Sequence, residues 1–203
     1  MEKIDAKILE MMMSRLCHEF VGPVGAVANG IELIQETDGA IAAEAVGMVD
    51  ISAKELTARI KFYRVAYGVS GITSNNLAEL RGLSISFVGG EGTVLRWPMP
   101  PMAPKLEEGE GKLVINMIAL AKGALSRGGE VCVDIVADSL SVSAVGESVG
   151  LSDDLVSAIT SDVNLDLLNP RNVHGFWATL LAKNVGRKLR YDVIGSKEIR
   201  ISA

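Results

Sequence analysis

Cysteine is scarce. The chain has two, Cys17 and Cys132, in 203 residues. That excludes a disulfide framework and fits a reducing, cytoplasmic setting. No apolar run reaches the roughly 18 residues of a membrane helix, so no membrane partner is expected. The N-terminus, MEKIDAKILEMMM, carries acids among its first residues and lacks the layout of a secretory signal. Base is not in excess. The 20 Lys and Arg stand against 25 Asp and Glu, a formal charge of −5, which argues against a broad nucleic-acid surface. Repeats and low-complexity tracts are absent. What remains is 48% apolar and 22% charged, an ordinary globular composition with room for one or two domains.

The first third reads as two helices. From about residue 3 to 35, Ile8, Met12, Leu16 and Phe20 repeat every four residues, and Val24, Val27, Ile31 and Ile34 carry the stripe onward. Thr37, Asp38 and Gly39 supply a turn. A second helix follows over about 40–67, with a stripe through Ile41, Ala45, Met48, Leu56, Ile60 and Tyr63. Two long helices on a short loop lie antiparallel. Their apolar faces exceed what one helix can cover on the other, so two hairpins should pair into a homodimeric four-helix bundle. Met11, Met12, Met13 and Trp177 are expected in the core.

Beyond a polar linker at 71–76 the pattern changes. Alternation over 83–88 predicts a strand, and 97–104, with four prolines, predicts an extended segment. A helix is expected over 112–126, a hairpin over 130–136 and 140–145, and a short helix over 152–160 with Ser152 as its cap. A helix over 172–188 and strands over 189–194 and 199–202 close the chain. The fold class is α+β: a hairpin domain at 1–70 and an α/β sandwich at 77–203.

The chemistry gathers around His18. It lies about 200° of helical rotation from Leu16, at roughly 100° per residue, so it points away from the stripe into solvent. Arg15, Ser14, Gly22, Gly25 and Asn29 should share its face. Glycines inside a helix cost about 1 kcal/mol each relative to alanine. That cost has two readings: a flat face that lets a partner reach the imidazole, or tight helix packing. Pro23 removes a helical hydrogen bond and crowds the carbonyl four residues back, that of Glu19, so a kink is expected beside the histidine. A neutral, exposed imidazole is a nucleophile toward an acyl phosphate. Glu19 can hold its other ring N–H or accept a proton. On the second helix Arg59, Lys61 and Arg64, with Lys54, form a basic cluster level with His18. It reads as a docking charge for an acidic pocket or as a solvated face. His174 has two readings, a second catalytic group or, preferred, a residue that caps or packs near its helix start. Cys17 and His18 lack two further ligands at metal-binding spacing, so no metal site is expected.

The run LCHEFVGP, residues 16–23, resembles the H-box of histidine kinases. Together with FYRVAYG at 62–68 and KLVINMIALAKGALSRGG at 112–129 it resembles the ChpT-type histidine phosphotransferases of alphaproteobacteria. The resemblance covers nearly the whole chain. It implies a dimeric helical bundle followed by a degenerate kinase ATPase-like domain. It also implies a phosphorelay function, in which His18 takes phosphate from the receiver domain of a hybrid histidine kinase and passes it to response regulators.

The same resemblance implies that no ATP is used. Asn116 begins a segment similar to the kinase N-box, but Leu120 stands where a kinase has its magnesium-binding Asn. Ala144 is nearest to the adenine-reading Asp, and no glycine-rich lid precedes Asn172. The expected cofactor complement is therefore none, with Mg²⁺ supplied by the partner receiver. Catalytic roles fall to His18 and Glu19, and partner docking to Arg15, Gly22, Gly25, Arg59 and Arg64. The alternatives are an ATP-dependent sensor kinase fragment and a non-catalytic interaction module. A phosphatase role is disfavoured because Gly22 stands four residues past the histidine.

Overall fold

The computed structural model describes residues 6–68, 76–90, 92–98, 105–136, 139–160 and 165–203. Helix α1, Ala6–Glu36, and helix α2, Gly39–Tyr67, form the expected antiparallel hairpin. Gly39 takes φ +65° in the turn, a left-handed conformation that suits glycine. Thr37 Oγ1 donates to the Leu33 carbonyl at 2.6 Å, supplying one of the last carbonyls of α1 with a donor. The helices meet at Gly30, where an added Cβ would lie 2.5 Å from Val49 Cγ2.

The apolar stripe divides between two tasks. Near the N-terminus, Ile8, Met11 and Met12 pack on Leu168 and Val173 of the second domain. Leu16 and Phe20 pack on the edge of the main core. Further along, Val24 and Ile31 stay exposed, as do Ile41, Met48 and Ile60 on α2. Met13 is exposed as well, against the expectation of a core residue, because it faces away from the second domain that buries its two neighbours.

Helix α3, Leu77–Val88, replaces the strand expected at 83–88. The alternation of Leu83, Ile85 and Phe87 with Ser84 and Ser86 misleads. The buried positions are Leu77, Leu80, Ser84, Phe87 and Val88, a helical spacing. Asn76 caps the helix by accepting from the Ala78 and Glu79 amides. Ser84 hides its hydroxyl on the Leu80 carbonyl at 2.7 Å. Stacking of Phe87 on Phe62 at 3.7 Å locks α3 to α2.

Strand β1, Thr93–Arg96, leads to helix α4, Glu110–Gly123. Strands β2, Gly129–Val136, and β3, Ser139–Val145, are the expected hairpin. Helix α5, Asp153–Thr160, starts after Ser152, whose Oγ accepts from the Leu155 amide at 3.4 Å. A 3-10 turn at Leu165–Leu167 precedes α6, Val173–Asn184, which is four residues shorter at its end than expected. Gly186, at φ +72°, turns the chain there. Strands β4, Arg190–Ile194, and β5, Glu198–Ser202, close the domain. The sheet order is β1-β2-β3-β5-β4, parallel only between β1 and β2. Val131, Val133, Leu140, Val142, Ala144, Ile199 and Ile201 alternate onto one face and bury there under the helices. The architecture is α+β: a helical hairpin joined to a two-layer α/β sandwich. Of the expected linker only Asn76 is described; residues 69–75, and 99–104 of the proline-rich segment, lie outside the described residues.

Two ends of the hairpin are tied down differently. The final carbonyls of α2 have no helical donors. Asn116 Nδ2 donates to the Ala66 carbonyl at 3.1 Å, Trp177 Nε1 reaches the same oxygen at 3.4 Å, and Lys112 Nζ donates to the Gly68 carbonyl at 2.7 Å. Side chains of α4 and α6 thus cap α2, and the lysine charge also suits the negative end of the helix. At the far end Asp38 and Gly39 are exposed and Thr37 is half-buried.

Candidate functional site

His18 is exposed on α1, as its rotation from Leu16 predicts. Gly22 and Gly25 continue its face, and an added Cβ at either would meet nothing within 4 Å. Within this chain the packing explanation therefore fails for both glycines, whereas it holds for Gly30. The flat-face reading remains: no side chain stands between the imidazole and a partner along those two turns.

Behind His18 lies a charged cluster. Glu19 Oε2 pairs with Arg59 Nη1 at 3.0 Å, and Glu19 Oε1 pairs with Arg15 Nη2 at 3.3 Å. Arg59 also donates through Nε and Nη2 to Glu55 Oε1, at 2.9 and 2.5 Å. Among the described residues the Glu19 carboxylate is thus held by two arginines rather than by the His18 ring. The Tyr63 phenol beside it is raised above its ordinary range, first by burial and then by the Glu19 charge, so it stays neutral. Tyr67 is pushed up to about 12, again chiefly by burial, with Arg15 pulling the other way.

Two of the expected docking residues are largely covered in this chain. Arg15 and Arg59 retain only 20% and 18% side-chain exposure. Both turn inward, because Glu19 on α1 and the tyrosines of α2 offer partners that solvent does not. With Tyr63, Lys122 and Arg127 they line a cleft of about 410 Å³ between the hairpin and the second domain. Arg64 is exposed. Glu55 was not singled out from sequence. Its signal was present in the four-residue spacing to Arg59, which makes an ion pair on a helix.

The segment resembling a kinase N-box is structural here. Asn116 is fully buried. Its Nδ2 faces the carbonyls of Ala66 and Lys112, which leaves Oδ1 to accept from His174 Nε2 at 3.0 Å. His174 is buried, so it packs rather than reacts, and burial, followed by the nearby Arg15 charge, holds its pKa well below the usual imidazole value. Leu120 is 2% exposed within the main core. Ala144 is buried on β3, paired between Val131 and Ile199. Among the described residues no helix is long and apolar enough to cross a membrane.

Comparison with known proteins agrees with this picture. The chain is 24% identical over 185 residues to the protein phosphotransferase ChpT of Brucella abortus (strain 2308), covering 88% of this chain and 87% of that one. It superposes on the solved 1.7 Å structure of a bacterial phosphotransferase with a TM-score of 0.82, at 22% identity, over 100% of this chain and 98% of the other. Residues 77–197 match the family described as histidine phosphotransferase C-terminal domain. That match takes in more than half of the chain, and the protein is accordingly a member of the histidine phosphotransferase family, of the ChpT type.

Proposed function

We propose that His18 is the phosphate carrier of this phosphotransferase, and that it relays phosphate between receiver-domain aspartates, from a hybrid kinase to response regulators. The observation that carries the assignment is the exposed imidazole at the head of an open glycine face, on a chain whose other histidine is buried.

The chemistry follows from that placement. A phosphoaspartate approaches along the Gly22–Gly25 face. A lone pair of the neutral His18 ring attacks phosphorus in line, the N–P bond forms, and the P–O bond to the aspartyl carboxylate breaks. The carboxylate leaves with the electron pair. The receiver's own Mg²⁺ neutralises charge on the transferring group. The proton on the other ring nitrogen stays or passes to solvent, since Glu19 is committed to two arginines. Reversal onto a second receiver completes the relay.

Two hairpins pair into a four-helix bundle in this reading, because Val24, Ile31, Ile41, Met48 and Ile60 are exposed apolar side chains on the two helices. The domain at 77–203 serves as a scaffold for the hairpin at 1–70 and takes no ATP, since Leu120 fills core space where a cation ligand would be needed. A cytoplasmic location suits receiver partners.

The test is incubation with labelled phospho-receiver. The wild-type chain should take up label that acid removes, as a phosphohistidine does. His18→Ala and His18→Gln should take up none while keeping the fold, because the position faces solvent. Acid-stable label, or label that persists in His18→Ala, would overturn the assignment.

A further inference from the structure

In an α-helix each carbonyl accepts from the amide four residues on. Pro23 has no amide hydrogen, so the Glu19 carbonyl loses its helical donor. Glu19 directly follows His18, and α1 nonetheless runs unbroken through this point. The missing donor comes from the other helix. Arg59 Nη1 lies 3.0 Å from the Glu19 carbonyl oxygen and 3.0 Å from Glu19 Oε2. The rest of the guanidinium is braced from behind by Glu55. One planar group therefore fills the gap in the α1 ladder and pins the side chain of the same residue.

We infer that Arg59 is a positioning residue for phosphotransfer: it replaces the hydrogen bond that Pro23 removes and so fixes the turn of α1 that presents His18. A helix missing a ladder bond bends at the gap. In-line attack tolerates little of that, since a displacement of about 1 Å can cost on the order of 10²-fold in rate. Arginine suits the task because its fork serves a carbonyl and a carboxylate at once, which a lysine ammonium does with less fixed geometry. Arg59 acts through Glu19 and the backbone and does not touch the reacting atoms. The inference rests on His18 being the phosphate acceptor.

The experiment is single-turnover transfer from labelled phospho-receiver to the full chain. The maximal rate and the half-saturating receiver concentration are read separately for wild type, R59A, R59K, R59Q, P23A and R59A/P23A. Folding and dimerisation of each variant are checked by circular dichroism and sedimentation, and R59Q, which keeps one donor without charge, covers the case of an R59A that fails to fold.

R59A should lower the maximal rate by about 10- to 100-fold with half-saturation within about twofold, and R59K should recover only part of it. P23A restores an amide donor to the Glu19 carbonyl. In that background R59A should cost no more than about threefold, a coupling that independent sites would not show. An equal cost in both backgrounds, an effect confined to half-saturation, a wild-type rate in R59A and R59Q, or a P23A variant that transfers nothing would each overturn the inference. The two readings fail separately. Label on His18→Ala sinks the acceptor assignment whatever Arg59 does, whereas a dead His18→Ala beside a fully active R59A sinks this inference alone.

Discussion

His174 donates through Nε2 to Asn116 Oδ1 at 3.0 Å, across 58 residues of sequence, with both side chains fully enclosed. The Asn116 amide hydrogens go to the carbonyls of Ala66 and Lys112, so the histidine must be the donor, and its buried Nδ1 finds no partner among the described residues. One asparagine therefore joins the end of α2, helix α4 and helix α6.

Removing that junction should cost stability, whereas a kinase role for Asn116 would show in nucleotide use. Asn116→Leu strands the His174 N–H and deprives the Ala66 carbonyl of its better donor. Each buried unsatisfied group costs about 1–3 kcal/mol, so urea unfolding should show a loss of about 2–4 kcal/mol. A change below about 0.5 kcal/mol would contradict this accounting.

His174 also makes stability depend on pH. Its folded pKa lies well below the ordinary 6.5 because burial disfavours the imidazolium. The unfolded chain takes up a proton near pH 6.5 that the folded chain does not. The stabilisation is complete above that pH and is lost as pH falls from about 6.5 toward the folded value, by about 1.4 kcal/mol per unit at most. His174→Gln keeps a donor for Asn116 and removes the titration. The difference between wild type and variant should be flat above pH 7 and change below 6. A difference constant from pH 5 to 8 would exclude a neutral buried His174.

The glycines of α1 should separate into two kinds. Gly22→Ala and Gly25→Ala add a methyl into open space and remove glycine's helix penalty, so each should stabilise the protein by up to about 1 kcal/mol. The same methyl stands on the receiver face, and phosphotransfer should fall by about tenfold or more if close approach is what the glycines provide. Gly30→Ala should instead destabilise by about 1–3 kcal/mol, since its Cβ would lie 2.5 Å from Val49 Cγ2. Combination with Val49→Ala should recover part of that loss. Thermal melts and transfer rates on the same preparations decide it. A Gly22→Ala protein that is more stable and fully active would remove the receiver-face argument.

Val24 and Ile31 lie seven residues apart on one exposed face of α1. In a four-helix bundle that face is internal, so Ile31→Glu should give a monomer in sedimentation equilibrium at micromolar concentration while the sandwich stays folded. A stable dimer in that variant would place the interface elsewhere.

Much of this site is legible from residue order because it depends on local geometry. The outward direction of His18 follows from two residues of helical rotation from Leu16. The loss of a helical donor at the Glu19 carbonyl follows from the missing amide hydrogen of Pro23. The β2–β3 and β4–β5 hairpins follow from alternation around short turns. These are properties of three to ten consecutive residues, and at these positions packing left them in place.

What only the tertiary structure decided depends on partners far along the chain. The segment at 83–88 alternates like a strand, yet burial against α2 and α4 and the Asn76 cap select a helix, because side-chain burial outweighs local propensity. Arg59 reads as a free surface charge until Glu19, 40 residues away, turns it inward. Asn116 reads as the start of an N-box-like segment until the carbonyls of Ala66 and Lys112 and the ring of His174 claim its amide. Periodicity records which face of an element is apolar. It does not record which buried carbonyl lacks a donor, and satisfying those groups is what assigned Arg59 and Asn116 their places.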